Sequence, residues 1–291
     1  MTPAWSEPTL QPLTGERLHL QHGPIDVVLR AWGAGAAVRV SYEAAWERFR
    51  AILPELAGEL HELRRPVAER PRVDGAVARR MVAACRPYRE FVTPMAAVAG
   101  AVADEILAAM TDAAPLDRAF VNDGGDIAVH LTEGETFTIA LAADFARGPV
   151  PAVNGQLTLR FDDRIGGIAT SGTQGRSFSL GIADSVTVLA RDAAAADAAA
   201  TLIANAVDLP GHPAIRREPA CDLDPDSDLG DRPVTTAVGA LDAAEIEAAL
   251  QAGLARAAAY RAAGLIRDAA LTLRGRTLVL GHLARLQETL P

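Results

Sequence analysis

Ser185-Val-Thr-Val-Leu-Ala190, followed at once by Asp192-Ala-Ala-Ala-Ala-Asp197-Ala-Ala-Ala-Thr201, reads as a buried strand that turns directly into a helix of very small side chains. Alanine is the best helix former and carries only a methyl group, so such a helix can lie very close to its neighbours. Residues four apart share a helix face, with Cβ atoms roughly 5–6 Å apart. Asp197 and Thr201 can therefore turn two hard oxygens into one small volume, the donor type that Mg²⁺ or Ca²⁺ takes. The competing reading has the Thr201 hydroxyl bonded back to a carbonyl of its own helix and Asp197 solvated.

The rest of the chain bounds the choice. Its 291 residues allow one large domain or two intimate ones. Hydrophobic residues make up 49% of the chain but aromatics only 4%, so the core must rest on closely approaching helices and strands rather than on large rings. The formal net charge is −9, and Arg64-Arg65, Arg79-Arg80 and Arg216-Arg217 are isolated pairs rather than a basic stripe. A nucleic-acid partner is not expected. An anionic nucleotide is not excluded, because backbone N–H groups and a metal bind phosphate locally. Cys85 and Cys221 have no partners at zinc spacing and read as reduced thiols. Met1-Thr-Pro-Ala-Trp-Ser-Glu-Pro lacks the basic start and apolar run of a signal peptide. No apolar run approaches the roughly 18 residues that span a bilayer. The expectation is a cytoplasmic protein with no membrane partner.

Along the chain, residues 1–14 read as a loose tail and 15–291 as a single α+β domain, with a helix-plus-hairpin part from about 209 to 291. Leu18–His22 and Ile25–Arg30 read as strands around a Gly23-Pro24 turn, and Ala37–Ser41 as a further short strand. Trp46, Phe49, Leu53, Leu56 and Leu60 recur at helical spacing from Tyr42 to Leu63, with Pro54 a possible break. Val77–Cys85 and Thr93–Met110 read as helices, the second entered through Thr93-Pro94. Ile127–Leu131 and Thr136–Leu141 resemble paired strands. Asp242–Ala263 reads as a long Ala-rich helix stopped at Gly264, and Leu271–Leu280 as a hairpin. Strands and helices do not alternate as βαβα, which predicts a mixed or antiparallel sheet with packed Ala-rich helices.

Three clusters remain. Val121-Asn122-Asp123-Gly124-Gly125-Asp126-Ile127 places paired glycines after a strand, where backbone N–H groups can face a ligand or simply make a turn. Met95-Ala-Ala-Val-Ala-Gly100-Ala-Val-Ala-Asp104 is a slender helix ending in a carboxylate. Thr170-Ser171-Gly172 precedes the strand and helix first quoted. In their order along the chain the three resemble the family of ApbE, the flavin transferases once labelled thiamine-biosynthesis lipoproteins, and more closely a shorter, uncharacterised branch of that superfamily. The resemblance covers roughly residues 90–208. It implies an ApbE-like fold, with Asp197 and Thr201 as ligands of Mg²⁺. It implies further that Gly100, Asp104, Asn122, Gly124, Gly125, Asp126, Thr170, Ser171 and Gly172 line a site for FAD, FMN or a similar nucleotide.

The chain also departs from that family. Thr173–Asp184 contains no counterpart of the transferases' His-x-x-Asp-Pro-x-Thr-Gly segment, and Ala99 stands where they carry a helix lysine. A chain that transfers FMN must neutralise a pyrophosphate and activate an acceptor hydroxyl. Asp184, just before the strand, and His22, at a strand end, are the candidates for replacing that chemistry; the alternative for His22 is a bond to its own turn. Arg176 and Ser177 lie in a Gly-flanked loop that could hold a phosphate. Three functions stay open: a magnesium-dependent enzyme of the FMN-transferase type, a non-catalytic flavin- or metabolite-binding protein, and an enzyme acting on a non-flavin metabolite in the same cleft. The small-residue helices also leave room for a homodimer.

Overall fold

The computed structural model describes residues 6–144, 152–175 and 177–281. In chain order the elements are β1 (Thr9–Leu13), β2 (Arg17–His22), β3 (Ile25–Trp32), α1 (Gly35–Leu63), α2 (Ala76–Cys85), α3 (Val98–Ala113), β4 (Arg118–Asp123), β5 (Asp126–Leu131), β6 (Thr136–Asp144), β7 (Ala152–Arg160), β8 (Gly167–Ser171), β9 (Ser185–Ala190), α4 (Ala193–Ala206), β10 (Ile215–Pro219), α5 (Ala220–Leu223), β11 (Pro233–Val238), α6 (Ala243–Ala262), β12 (Asp268–Leu273) and β13 (Arg276–Leu280). The protein is α+β with antiparallel strand pairing, as the element pattern predicts.

The chain forms two units, which the backbone enters more than once. The first comprises Met1–Thr136, Arg160–Ala169 and Arg191–Ala198. Its strands run in the order β1-β2-β3-β4-β5, with the start of β8 beside β5 (Ile127 opposite Ile168). In β3 every second residue (Ile25, Val27, Leu29 and Ala31) is buried, the period-two pattern of a sheet covered on one face. The cover is helical: α3 packs on β4 and β5, and α1 and α2 pack on α3. Phe49, Ile52, Met81, Ile106 and Met110 fill the space between them.

The second unit comprises Phe137–Leu159, Thr170–Ala190 and Ala199–Pro291. Here β12 lies between β9 and β13, and α6 packs on β12 and β13. Asp242 begins α6 by accepting the N–H groups of Ala244 and Glu245, both at 2.8 Å, while Glu245 returns a carboxylate to the Asp242 N–H at 2.7 Å. This reciprocal cap sets the helix start that Leu241-Asp242 predicts.

Several local expectations are corrected. Thr9–Leu13, expected in a loose tail, is a strand in register with β2. Ala37–Ser41 is helical: its apolar-polar alternation reads as a strand over five residues, but the segment continues into a longer helical pattern and joins α1. Pro54 lies inside α1 without ending it. The Thr93-Pro94 start opens one 3₁₀ turn, Pro94–Ala97, before α3. Ile127–Leu131 does not pair with Thr136–Leu141; β5 lies between β4 and β8, and β6 pairs with β7. Pro94–Ala113 is a 20-residue helical stretch with an 18-residue window of mean hydropathy 1.3, but Asp104, Glu105 and Asp112 interrupt it, so it is no unbroken apolar run. Its apolar residues Ala101, Val102, Ile106, Leu107 and Met110 are core residues of the first unit.

A close approach in that unit joins α3 and the start of α4. A Cβ on Gly100 would lie 2.3 Å from the Ala193 carbonyl oxygen and 2.8 Å from the Ala194 nitrogen, both backbone atoms. Four residues on, Asp104 caps α4: Oδ1 accepts the Ala193 N–H at 3.0 Å and Oδ2 the Ala194 N–H at 2.9 Å. Asp192 takes the next one, from Ala195, at 2.8 Å. Burial pushes the Asp104 carboxyl up to about 6 from an ordinary 3.8, against the pull of those two N–H groups.

Two outcomes follow from this contact. Gly100→Ala gains about 1 kcal/mol of helix propensity but overpacks a backbone contact at about 1–3 kcal/mol, so the variant unfolds at lower denaturant concentration than the parent. For Asp104, the folded-state value lies above the unfolded one. Its contribution to stability is therefore complete below about pH 3.8 and lost as pH rises past about 6. Denaturation curves across that window, compared with Asp104→Asn, should show this component vanish in the variant, and Asp104→Asn should be less stable throughout because one acceptor of the cap is gone.

Candidate functional site

The two-residue connection between β4 and β5 requires glycine. Gly124 and Gly125 have φ of 63° and 118°, the left-handed geometry of a tight hairpin turn. Asn122 locks the turn by accepting the Gly125 N–H on Oδ1 at 2.8 Å. The turn brings Asp123 and Asp126 opposite one another as cross-strand partners. Asp123 is 5% exposed and accepts the Asp26 N–H at 3.3 Å; Asp26 in turn meets His19 Nε2 at 3.0 Å. Both glycines are exposed, and a Cβ on Gly125 would meet nothing within 4 Å.

Asp197 comes to this group from α4. Its Oδ2 accepts the Gly100 N–H at 3.1 Å, and Ala99 donates a second backbone N–H. These are N–H groups of the first turns of α3, which favour a negative charge. Burial opposes that preference and lifts the Asp197 carboxyl well above the usual carboxylate range; the charge of Asp126, and after it that of Asp123, push the same way. Cys85, fully buried at the end of α2, also borders the group: burial and then the Asp197 charge raise its thiol, which donates to the Thr93 carbonyl at 3.5 Å.

The first unit thus gathers Gly100, Asn122, Asp126 and Asp197 from the expected residues and adds Asp123 and Cys85, which the sequence reading did not single out. Asp123 was legible in principle, since it flanks the glycine pair symmetrically with Asp126. Nothing in the sequence marks Cys85. Asp104 and Gly100 owe their identity to the α3–α4 contact: both Asp104 oxygens are engaged with backbone N–H groups of α4. His22 lines a different cavity of the same unit, together with Glu47, Arg50 and Pro54, and none of the other expected site residues borders it.

The second unit holds the remaining expected residues. The Thr170 hydroxyl meets that of Thr187 at 2.9 Å across β8 and β9. Ser171 ends β8, partly exposed. Gly172 lies so close to the start of β9 that a Cβ would come within 2.5 Å of the Asp184 carbonyl oxygen. The Asp184 carboxylate accepts the N–H of Arg274 in the β12–β13 turn, so one of its oxygens serves that turn. Thr201 falls in α4 one helical turn after Asp197, as the spacing predicts. Ser227 accepts the Leu229 N–H at 3.3 Å and closes the turn between α5 and β11. Arg176 lies outside the described residues.

A divalent cation and a phosphorylated ligand can be weighed against these groups. Among the described residues, no three or more His, Cys, Asp or Glu side chains converge as an all-protein metal cage. Mg²⁺ does not require one: it takes one or two carboxylates, several waters and the oxygens of a bound phosphate. The hard carboxylate oxygens of Asp197 and Asp126, the second beside the open ground over Gly125, are of the donor type that suits such an ion and its ligand.

Comparison with known proteins bears on the family and the fold. The model of the family described as AbpE bacteria matches residues 10–279. A UPF0280 protein of Methanothrix thermoacetophila is 44% identical over 117 residues, 40% of this chain and 46% of that protein. A UPF0280 protein of Methanopyrus kandleri is 37% identical over 129 residues, 44% of this chain and 48% of that protein. The chain spans about half the length of these curated relatives. The crystal structure of the ApbE protein from Thermotoga maritima superposes with a TM-score of 0.54 at 13% identity, covering 97% of this chain and 98% of that one, which shows a shared fold. The chain belongs to the AbpE bacteria family, within the ApbE-like superfamily.

Proposed function

We propose that the protein binds a flavin nucleotide, FAD or FMN, or a similar phosphorylated cofactor, through a divalent cation held at Asp197. One observation carries the reading: burial, and after it the charges of Asp126 and Asp123, disfavour the charge of Asp197 where no counter-ion is bound. A bound Mg²⁺ reverses that balance, since its charge outweighs the mutual repulsion of the carboxylates. Thr201, one turn further along α4, is the proposed second ligand. Asn122, Gly124, Gly125 and Asp126 are the proposed ligand groups of the first unit. Gly100 and Asp104 act indirectly, by fixing where α4 begins.

When bound, Mg²⁺ would neutralise phosphate charge and polarise a phosphoryl oxygen. The chain's own part is to orient: the Gly100 and Ala99 N–H groups hold the Asp197 carboxylate in place, and Asn122 keeps the Gly124-Gly125 turn closed so that its backbone can be approached. Transfer of FMN to an acceptor is the finer reading; the missing His-x-x-Asp-Pro-x-Thr-Gly segment favours binding without transfer. Asp184, with one oxygen engaged by the Arg274 N–H, is the carboxylate that transfer would have to recruit in place of that segment. A cytoplasmic setting, a small-molecule partner rather than nucleic acid or membrane, and pairing of two copies through small-residue helices belong to the same proposal.

Calorimetry of the full chain with FAD and FMN, with and without Mg²⁺, tests it. Binding should require the metal, and Asp197→Ala should weaken it about tenfold or more. Absence of heat with FAD, FMN, ADP and ATP in the presence of Mg²⁺ would contradict the proposal. Chromatography of the same mixtures separates the two forms: AMP released from FAD, and lost in Asp197→Ala, means transfer-type chemistry, whereas intact FAD means binding alone.

A further inference from the structure

An open cavity of about 660 Å³ beside α2 is lined by three arginines, Arg72, Arg79 and Arg86, against one carboxylate, Asp74. In a chain whose net charge is −9 this is a local excess of positive charge. The volume falls in the range of small-metabolite sites. One wall is a helix face: Arg79, Val82 and Arg86 follow at three- and four-residue steps along α2 and its C-terminal cap. The other lining residues, from Pro71 to Asp74, belong to the connector that leads into α2.

That connector is held by backbone bonds to α1. Glu62 accepts the Arg72 N–H at 2.8 Å, and Glu59 accepts the N–H groups of Asp74 at 2.6 Å and Gly75 at 3.1 Å. Glu62 also takes the Arg65 guanidinium at 3.0 Å. Both α1 carboxylates are thus engaged elsewhere, and neither borders the cavity. Arg79 donates from Nη1 to the Asp74 carbonyl, which ties the helix wall to the connector. Arg48, Arg65 and Arg80 of the same unit each find a carboxylate. Among the described residues, Arg72, Arg79 and Arg86 form no ion pair, and all three are exposed.

Three guanidinium groups against one carboxylate leave a balance of two positive charges. A single carboxylate ligand would meet half of it. A phosphate monoester carries about −1.5 to −2 at pH 7, and each guanidinium fork matches two of its oxygens. Pro71, Val73 and Val82 add an apolar part to the same lining. We infer that this cavity binds a phosphate monoester of a small molecule with an apolar body, the three arginines facing the phosphoryl group and Val73 and Val82 the body. No divalent cation is needed. Asp123, Asp126 and Asp197 do not border the cavity, so the inference stands apart from the flavin proposal and survives its failure.

The test uses the full chain labelled with ¹⁵N-arginine, titrated with phenyl phosphate in EDTA at fixed ionic strength and about pH 7, where the ester is close to its dianion. The expected result is a saturable shift of the Arg72, Arg79 and Arg86 Nε signals. Inorganic phosphate, with the charge but no body, should bind more weakly, and benzoate, with the body but one charge, should give no saturable shift. Arg72→Gln and Arg86→Gln should each weaken phenyl phosphate binding about fivefold, and Asp74→Asn should strengthen it about twofold by removing the opposing charge. No saturable shift, an equal shift with benzoate or sodium chloride, or equal affinity for inorganic phosphate would each overturn the inference. A saturable shift with polyglutamate but not with phenyl phosphate would overturn it in favour of an acidic polypeptide. A shift that appears only when Mg²⁺ replaces EDTA would move the ligand to the carboxylates around Asp197. The arginine and Asp74 substitutions change exposed side chains, so the folded protein remains available for each comparison.

Discussion

The absence of a side chain at Gly100 is the constraint on which the first unit depends. It lets the backbone of α3 come within contact of the Ala193 carbonyl, closer than any Cβ would permit. At that distance the Gly100 N–H reaches the Asp197 carboxylate, and Asp104, one turn later, reaches the first two N–H groups of α4. One small residue thus fixes both the start of α4 and the place of its carboxylate. Alanines at 193–196 complete the fit by adding only methyl groups at the contact. Together these residues hold Asp197 beside a hairpin that brings two further carboxylates, Asp123 and Asp126.

Much of this was legible because it rests on short-range rules. The Asp242 cap, the Gly264 stop, the Gly23-Pro24 turn and the Gly124-Gly125 turn each follow from residues within four positions of one another, and all are found where the sequence puts them. The ordered motifs likewise announce the superfamily. What the sequence hid depends on longer range. Ala37–Ser41 alternates like a strand, yet it continues a helix whose packing partners lie far along the chain. The pairing of β5 with β8 joins residues about 40 positions apart, which no local pattern encodes. Cys85 enters the carboxylate group only because α2 packs on α3.

The same distinction applies to the candidate site. Residue types predicted the chemistry of Asp197 but not its environment: spacing cannot tell a solvated helix carboxylate from one pressed by two others. Asp104, expected to meet a ligand, instead completes a helix cap, a role equally suited to a carboxylate at the end of a slender helix. Asp184 serves the β12–β13 turn. In both cases a polar residue near the right motif satisfies backbone groups first. The chain keeps the fold of the superfamily while Asp104 and Asp184 each satisfy backbone N–H groups.

The most direct test is ¹³C NMR of the Asp197 carboxyl as a function of pH. Its midpoint should lie well above the ordinary 3.8, fall when Asp126 is replaced by Asn, and fall again when Mg²⁺ is added. An Asp197 that titrates at the ordinary value and ignores both the Asp126→Asn substitution and the metal would contradict the crowding of carboxylates at the α3–α4 contact.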